Sequence, residues 1–303
     1  MDRSQTLAVR IFLALVVCLT LICLWPRESS EGISRPASIA STSRPPDNSV
    51  ADQSLQPQAV EGHAHALDPA LEIARQALTH YQAYVDDYTA TLIKRERISG
   101  SLGSISKMEL KLRARRVEGD KLVRPLQVYL KMLDPWLSRG REVIWVEGRH
   151  EGKLIAHEGG LKNLMRVSLA PTDTLAMLGN KYPITEIGLQ RSIEKLIEKG
   201  ERDKLAGDCS VVIEPGHRVG DRPCRLIQVT HPEPDPRFDF HIAQIFIDQE
   251  LGLPVRYAAF LWPDSPGAEP KLEEEYTYLN VRLNVGLTDR DFDPDNPAYQ
   301  FPK

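Results

Sequence analysis

The residue types most able to do chemistry in this chain are few and scattered. His150 and His157 each precede a Glu-Gly pair, seven residues apart, and imidazoles beside carboxylates can bind a metal or exchange a proton. An odd spacing puts the two rings on opposite faces of an extended segment, so a shared site would need a bulge. The simpler reading is two surface histidines near turns. His63 and His65, in a polar stretch, read as solvated. Carboxylates gather at Glu273-Glu274-Glu275 and along Asp289-Arg-Asp-Phe-Asp-Pro-Asp295. Neither stretch has the spacing of an EF-hand loop, and the second reads as a solvated C-terminal run rather than a calcium site. Walker A, Gly-x-Gly-x-x-Gly, Gly-x-Ser-x-Gly and His-Glu-x-x-His patterns are absent. No catalytic residue, metal ligand or cofactor is expected, and the chain reads as a non-enzyme.

Cys209 and Cys224 flank the turn-rich span Glu214-Pro-Gly-His-Arg-Val-Gly-Asp-Arg-Pro223. In an oxidising compartment a disulfide closing this loop would add about 3 kcal/mol in the chain-entropy account. The alternative is two separate buried thiols. Neither cysteine belongs to a Cys-x-x-Cys pair, so a metal is not expected there. Trp136, Trp145 and Trp262 read as core or cavity-lining residues.

The elements that carry these groups follow from periodicity. Asp68-Pro69 fits a helix N-cap followed by proline, and Leu71, Ala74, Leu78, Tyr81 and Val85 form an apolar stripe up to about Asp87. The period then changes to two. Tyr88–Ile98 and Lys107–Val117 alternate around a turn at 100–106, and Leu126–Leu133, Arg141–Glu147 and Lys153–His157 continue the meander. A short Leu175–Leu178 segment and a helix from Gly188 to about Arg202 interrupt it. Strands resume at Cys209–Glu214, Cys224–Thr230, Phe238–Asp248, Leu253–Leu261 and Lys271–Leu283. The fold class is α+β, with a large, mainly antiparallel sheet.

The N-terminus has a different character. Arg3 and Arg10 precede an uncharged run from Ile11 to Trp25, and counting from Leu7 the apolar segment has 19 residues, enough to span a bilayer. Pro26-Arg-Glu follows in place of a cleavage site, which favours an uncleaved signal anchor; cleavage further on, near Ala37–Ala40, is the alternative. The basic flank keeps the N-terminus inside and sends the bulk outward. The domain reading is 1–25 membrane segment, 26–67 disordered linker rich in Ser, Pro, Ala and Gln, and 68–303 a single domain. A formal net charge of -4 gives no basic excess for nucleic acid.

Tyr88-Thr-Ala-Thr-Leu-Ile-Lys-Arg-Glu-Arg, with Val128-Tyr-Leu-Lys-Met-Leu, Gly140-Arg-Glu-Val-Ile-Trp-Val-Glu-Gly and Tyr182-Pro-Ile-Thr-Glu-Ile-Gly, resembles an uncharacterised bacterial envelope family known only as a domain of unknown function. Ile245-Phe-Ile-Asp-Gln-Glu-Leu-Gly-Leu-Pro-Val-Arg-Tyr257, followed by Glu275–Asp293, is more distantly similar to the periplasmic lipoprotein carrier (LolA/LolB-like) superfamily. That resemblance implies an incomplete β-barrel covered by helices and enclosing an apolar cavity for acyl chains. The cavity candidates are then the apolar faces of the early strands: Leu110, Leu112, Leu126, Val128, Leu130 and Met132. The expected partners are a lipid or other apolar ligand, the membrane through the N-terminal helix, and a protein of the envelope. The expected place is the bacterial inner membrane, single-pass, with the C-terminal domain in the periplasm, or the periplasm alone after cleavage. An interaction module that docks a protein partner and holds no ligand is the second reading.

Overall fold

The computed structural model describes residues 65–303. The expected membrane segment at 1–25 and the linker as far as residue 64 lie outside the described residues. Among the described residues no helix is long and apolar enough to cross a membrane.

Helix α1 (Asp68–Tyr84) buries Leu71, Ala77 and Tyr81. Its start differs from the expectation by one residue. Leu67 holds the N-cap position, while Asp68 is the first helical residue, with its carboxylate on the His65 N–H and the Lys204 ammonium. Asp68 therefore ties the start of α1 to the end of a later helix. Pro69 sits in the first turn, where its missing N–H costs nothing.

Strands β1 (Asp87–Ile98), β2 (Ser101–Leu102), β3 (Ser106–Arg113), β4 (Arg116–Glu118), β5 (Lys121–Arg124), β6 (Gln127–Asp134), β7 (Glu142–Val146), β8 (Leu154–His157) and β9 (Arg166–Leu169) come first. The short α2 (Thr174–Met177) and the long α3 (Leu189–Ala206) interrupt them. Strands β10 (Ser210–Val219), β11 (Arg222–Thr230), β12 (Ile242–Asp248), β13 (Pro254–Leu261) and β14 (Lys271–Leu283) complete the chain. One sheet runs β10-β11-β12-β13-β14-β1-β3-β6-β7-β8-β9, with β2 beside β1, while β4 and β5 pair apart. Its neighbours are all antiparallel, and β9 and β10 remain its two edges, so the barrel is incomplete. The central β1–β14 pairing joins the first and last strands, which makes the sheet one unit despite the helical interruption.

Alternation assigns the faces. Tyr88, Ala90 and Leu92 of β1 stand opposite Leu112, Leu110 and Met108 of β3, and these meet Val128, Leu130 and Met132 of β6. That face carries the main core, closed by Tyr81, Leu189 and Ile193 from α1 and α3. The other face of β6–β8 holds Tyr129, Ile144, Val146 and Ile155, and the C-terminal segment covers it with Phe292 and Phe301. Buried Asp87 starts that segment by accepting the N–H groups of Val285, Gly286 and Leu287.

Two expectations are corrected along this outer face. The acidic run at 289–295 is not a loose tail, although Asp289 and Asp295 stay exposed: Asp289 pairs with Arg113, Asp291 with Lys111 and Asp295 with Arg166, pinning the segment to the sheet. His157 is not a surface group either. It is buried, 2.8 Å from Glu142 Oε2 through Nε2, with Nδ1 donating to the Glu158 carbonyl at 2.7 Å. His150 lies exposed in a turn, so the two histidines do not meet. Glu142 also accepts the Tyr129 hydroxyl and the Gln300 N–H. Burial alone would raise its pKa, but the bonds from His157, Gln300 and Tyr129 outweigh it and hold the carboxyl below its ordinary value.

The expected Cys209–Cys224 disulfide is not formed, and both thiols are free. The span between them is not a loop. Strand β10 runs on to Val219, and only Gly220 and Asp221 lie between Val219 and its partner Arg222. Cys224 stands opposite His217, whereas Cys209 precedes Ser210, whose partner is Thr230. Six residues of strand therefore separate the two levels, about 20 Å at a strand's rise, far beyond a disulfide's reach. Burial pushes the Cys209 thiol up to about 11.

Two measurements check this description. Glu142→Gln should cost about 2–3 kcal/mol at neutral pH by leaving buried donors poorly paired. Because the native Glu142 pKa lies below the unfolded one, its contribution is complete above the ordinary carboxylate value and fades as pH falls through the native value. Urea unfolding across that range should therefore show a flatter acid dependence in the variant than in the parent. Unfolded, unreduced protein treated with an alkylating agent should carry label on both Cys209 and Cys224, with no linked peptide by mass spectrometry.

Candidate apolar ligand site

A cavity opens between α1, α3 and the β11–β13 part of the sheet, with about 670 Å³ of empty space including its mouth. It exists because small residues face one another there. Ala70, Ala74 and Ala77 follow the helical repeat along one side of α1, Gly200 faces it from α3, and Ala243 lies on the floor. Gly200 also lets α3 lie close against α1, since a Cβ there would lie 2.8 Å from Leu71 Cδ2. Larger side chains complete the wall: Ile193 and Leu196 from α3, Ile227 and Val229 from β11, Ile245 and Ile247 from β12, and Phe240 from the loop before β12.

Few polar groups reach this hydrocarbon wall. Lys199, Asp203 and Tyr257 line it. Burial raises the Asp203 pKa, partly offset by Arg202 and His231, and burial with the nearby Glu274 carboxylate raises Tyr257 far above its ordinary value. His231, also buried, lies 3.7 Å from Asp203 through Nε2, and burial lowers its pKa. Lys199 reaches Asp239 at 3.5 Å and Glu274 at 3.8 Å.

Those contacts connect the cavity to a polar strip crossing the same face of the sheet. Glu96 of β1 and Glu274 of β14 are cross-strand partners and both are buried. Lys94 meets Glu96 at 2.6 Å, and the Tyr276 hydroxyl donates to the same carboxylate. Lys181 bridges Glu273 and Glu274 at 2.6 and 2.9 Å, and the Tyr182 hydroxyl donates to Glu274 at 3.0 Å. Burial would lower the Lys181 pKa, but the two glutamates raise it further. The strip thus balances its charges internally. Two carboxylates side by side resemble an acid–base pair, but their side-chain partners here are amines and phenols, and among the described residues no serine, cysteine or histidine side chain bonds to them.

The six residues proposed from the sequence occupy the other half of the face. Leu110, Leu112 and Val128 are fully buried in the main core, and Leu126, Leu130 and Met132 pack against it half-buried. None of the six lines the β11–β13 cavity. Leu112 lies directly under Gly188 at the entry to α3, in the same core cluster as Leu189 and Trp145. The cavity residues had no comparable sequence signal, because alanines on a helix and valines on a distant strand declare a void only once they face each other. The polar strip did leave one: the repeat that points Tyr88, Ala90 and Leu92 inward continues to Lys94 and Glu96. Among the described residues no cluster of His, Cys, Asp or Glu is arranged to hold a metal.

No curated protein matches the chain. Its structure is similar to several solved ones at low identity. MucB of the Pseudomonas aeruginosa MucA/MucB complex aligns with 17% identity over 74% of this chain and 60% of that one, with a TM-score of 0.42. Lipoprotein LppX of Mycobacterium tuberculosis aligns with 14% identity over 75% and 100%, with a TM-score of 0.37. A LolA superfamily protein of Nitrosomonas europaea gives 11% identity over 73% and 97%, with a TM-score of 0.29. The sequence itself matches a family model across residues 85–301, from the end of α1 to the segment that covers the outer face. The chain therefore belongs to the protein family of unknown function DUF1571.

Proposed function

We propose that this protein is a non-enzymatic binding protein of the cell envelope that holds an acyl chain or similar apolar ligand between α1, α3 and β11–β13. In this reading domain 68–303 works in the periplasm, tethered by the N-terminal segment or released by its cleavage. The observation that carries it is the cavity wall, which is hydrocarbon except for Lys199, Asp203 and Tyr257.

The energetics suit reversible binding. Each methylene removed from water contributes about 0.8 kcal/mol, so about ten contribute roughly 8 kcal/mol before the cost of ordering the chain. That magnitude corresponds to a dissociation constant of about a micromolar at best, tight enough to retain a lipid and weak enough to release it.

Ala74→Phe places a ring in the cavity from the half-exposed side of α1, where the fold has room to accept it. It should weaken binding of a fluorescent long-chain fatty acid at least tenfold while changing unfolding stability by about 1 kcal/mol or less. Unchanged affinity in a stably folded variant would count against the cavity as the binding site.

A further inference from the structure

Turns at one end of the sheet carry large apolar side chains into solvent. Trp136, in the turn between β6 and β7, is 75% exposed. Leu161 and Leu164, between β8 and β9, are 100% and 75% exposed, and Ile105, before β3, is 56% exposed. Strand register puts these turns together. Glu142 pairs with His157, so the β6–β7 and β8–β9 turns leave the sheet at the same end. Lys107 pairs with Asp134, which brings Ile105 beside them. The first two turns touch: a Cβ on Gly159 would lie 2.1 Å from the Arg139 carbonyl oxygen, and Arg141 meets Glu158 at 2.7 Å.

Isolated exposed leucines are ordinary, but a cluster on adjoining turn tips marks a contact surface. The charge around it indicates what it contacts. These turns and the strand ends beside them carry Lys107, Arg139, Arg141, Lys162 and Arg166 against Asp134, Glu158 and the Asp295 that packs on Arg166, a cationic excess on a chain whose formal net charge is -4. Arg139, Arg141 and Arg166 are shared with Asp134, Glu158 and Asp295, while Lys107 and Lys162 make no ion pair among the described residues. Tryptophan and leucine projecting from a basic rim suit the interface of an anionic bilayer, where the ring sits at headgroup depth and the amines meet phosphate.

We infer that this end of the domain is a membrane-contacting edge, with Trp136, Leu161 and Leu164 inserting among the headgroups of an anionic lipid surface. The same end holds Val229, Phe240 and Ala243 of the apolar cavity, because Thr230 pairs with Ile242 where β11 ends and β12 begins. Insertion itself does not depend on what that cavity binds.

The test uses the full chain in proteoliposomes containing phosphatidylglycerol, with tryptophan fluorescence quenched by lipids brominated near the headgroup. Because the N-terminal apolar run alone can hold the chain on vesicles, the signal is read from Trp136 as the difference between the parent and Trp136→Phe. The expected result is that the Trp136 component is quenched, and that the double substitution Leu161→Asp, Leu164→Asp abolishes this quenching. Both leucines are exposed, so far-ultraviolet circular dichroism should be unchanged. A Trp136 signal indifferent to brominated lipid, or quenching that survives the double substitution, would overturn the inference. So would a Trp136 emission that shifts to the blue with rising protein concentration in lipid-free detergent, which would assign the tips to a second copy of the chain.

Discussion

An antiparallel sheet of this width that does not close leaves one broad apolar face that must be covered, and the rest of the structure depends on how that covering is done. Closing a barrel would satisfy the edges but fill or seal the interior. Here β9 and β10 stay apart, and α1 and α3 lie across the inner face instead. The two helices cover the β1–β3–β6 half with Tyr81, Leu189 and Ile193 and pack it solid. Over β11–β13 they present alanines and a glycine, and the fit is left incomplete. A dense core on one side and a void on the other thus come from the same two helices, through side-chain size alone.

The polar strip between the two halves explains how the helices stay in place over an incomplete core. Buried glutamates would be costly alone, but Glu96 and Glu274 face each other with lysines and tyrosines already in contact. Lys199 extends from α3 to Glu274 and Asp239, so helix position is set by charge where apolar contact is sparse. Further along α3, in its last turn, Lys204 reaches Asp68 at the start of α1. On the outer face Glu142, His157 and the ion-paired 289–295 segment perform the matching task, holding the C-terminal residues against β6–β8.

Much of the sheet was legible in the sequence because period-two alternation is a local signal. Tyr88–Ile98 reads correctly from its own residues, and so does the turn from Asp248 to Gly252, where Asp248 Oδ1 accepts the N–H groups of Glu250 and Leu251. Strand β9 escaped notice because Arg166–Leu169 is too short to establish a period. The disulfide failed for a related reason. Pro215 and Gly216 look like a turn, yet the sheet absorbs them as an irregularity between Glu214 and His217, and the true turn is the Gly220-Asp221 pair. The cavity was least legible of all. Its walls bring α1 against α3 and β11–β13, which follow it by more than a hundred residues, and the sequence pointed instead to Leu110, Leu112 and Val128, whose strong alternation marks a packed core.

On our reading, the space between α1, α3 and β11–β13 holds an apolar ligand. Native mass spectrometry of the full chain purified gently from expressing cells, with lipid extraction from the same sample, tests it most directly. A stoichiometric adduct with the mass of a lipid or fatty acid, absent from the Ala74→Phe variant, is the predicted result. A folded, ligand-free parent protein, or an adduct carried equally by that variant, would contradict it.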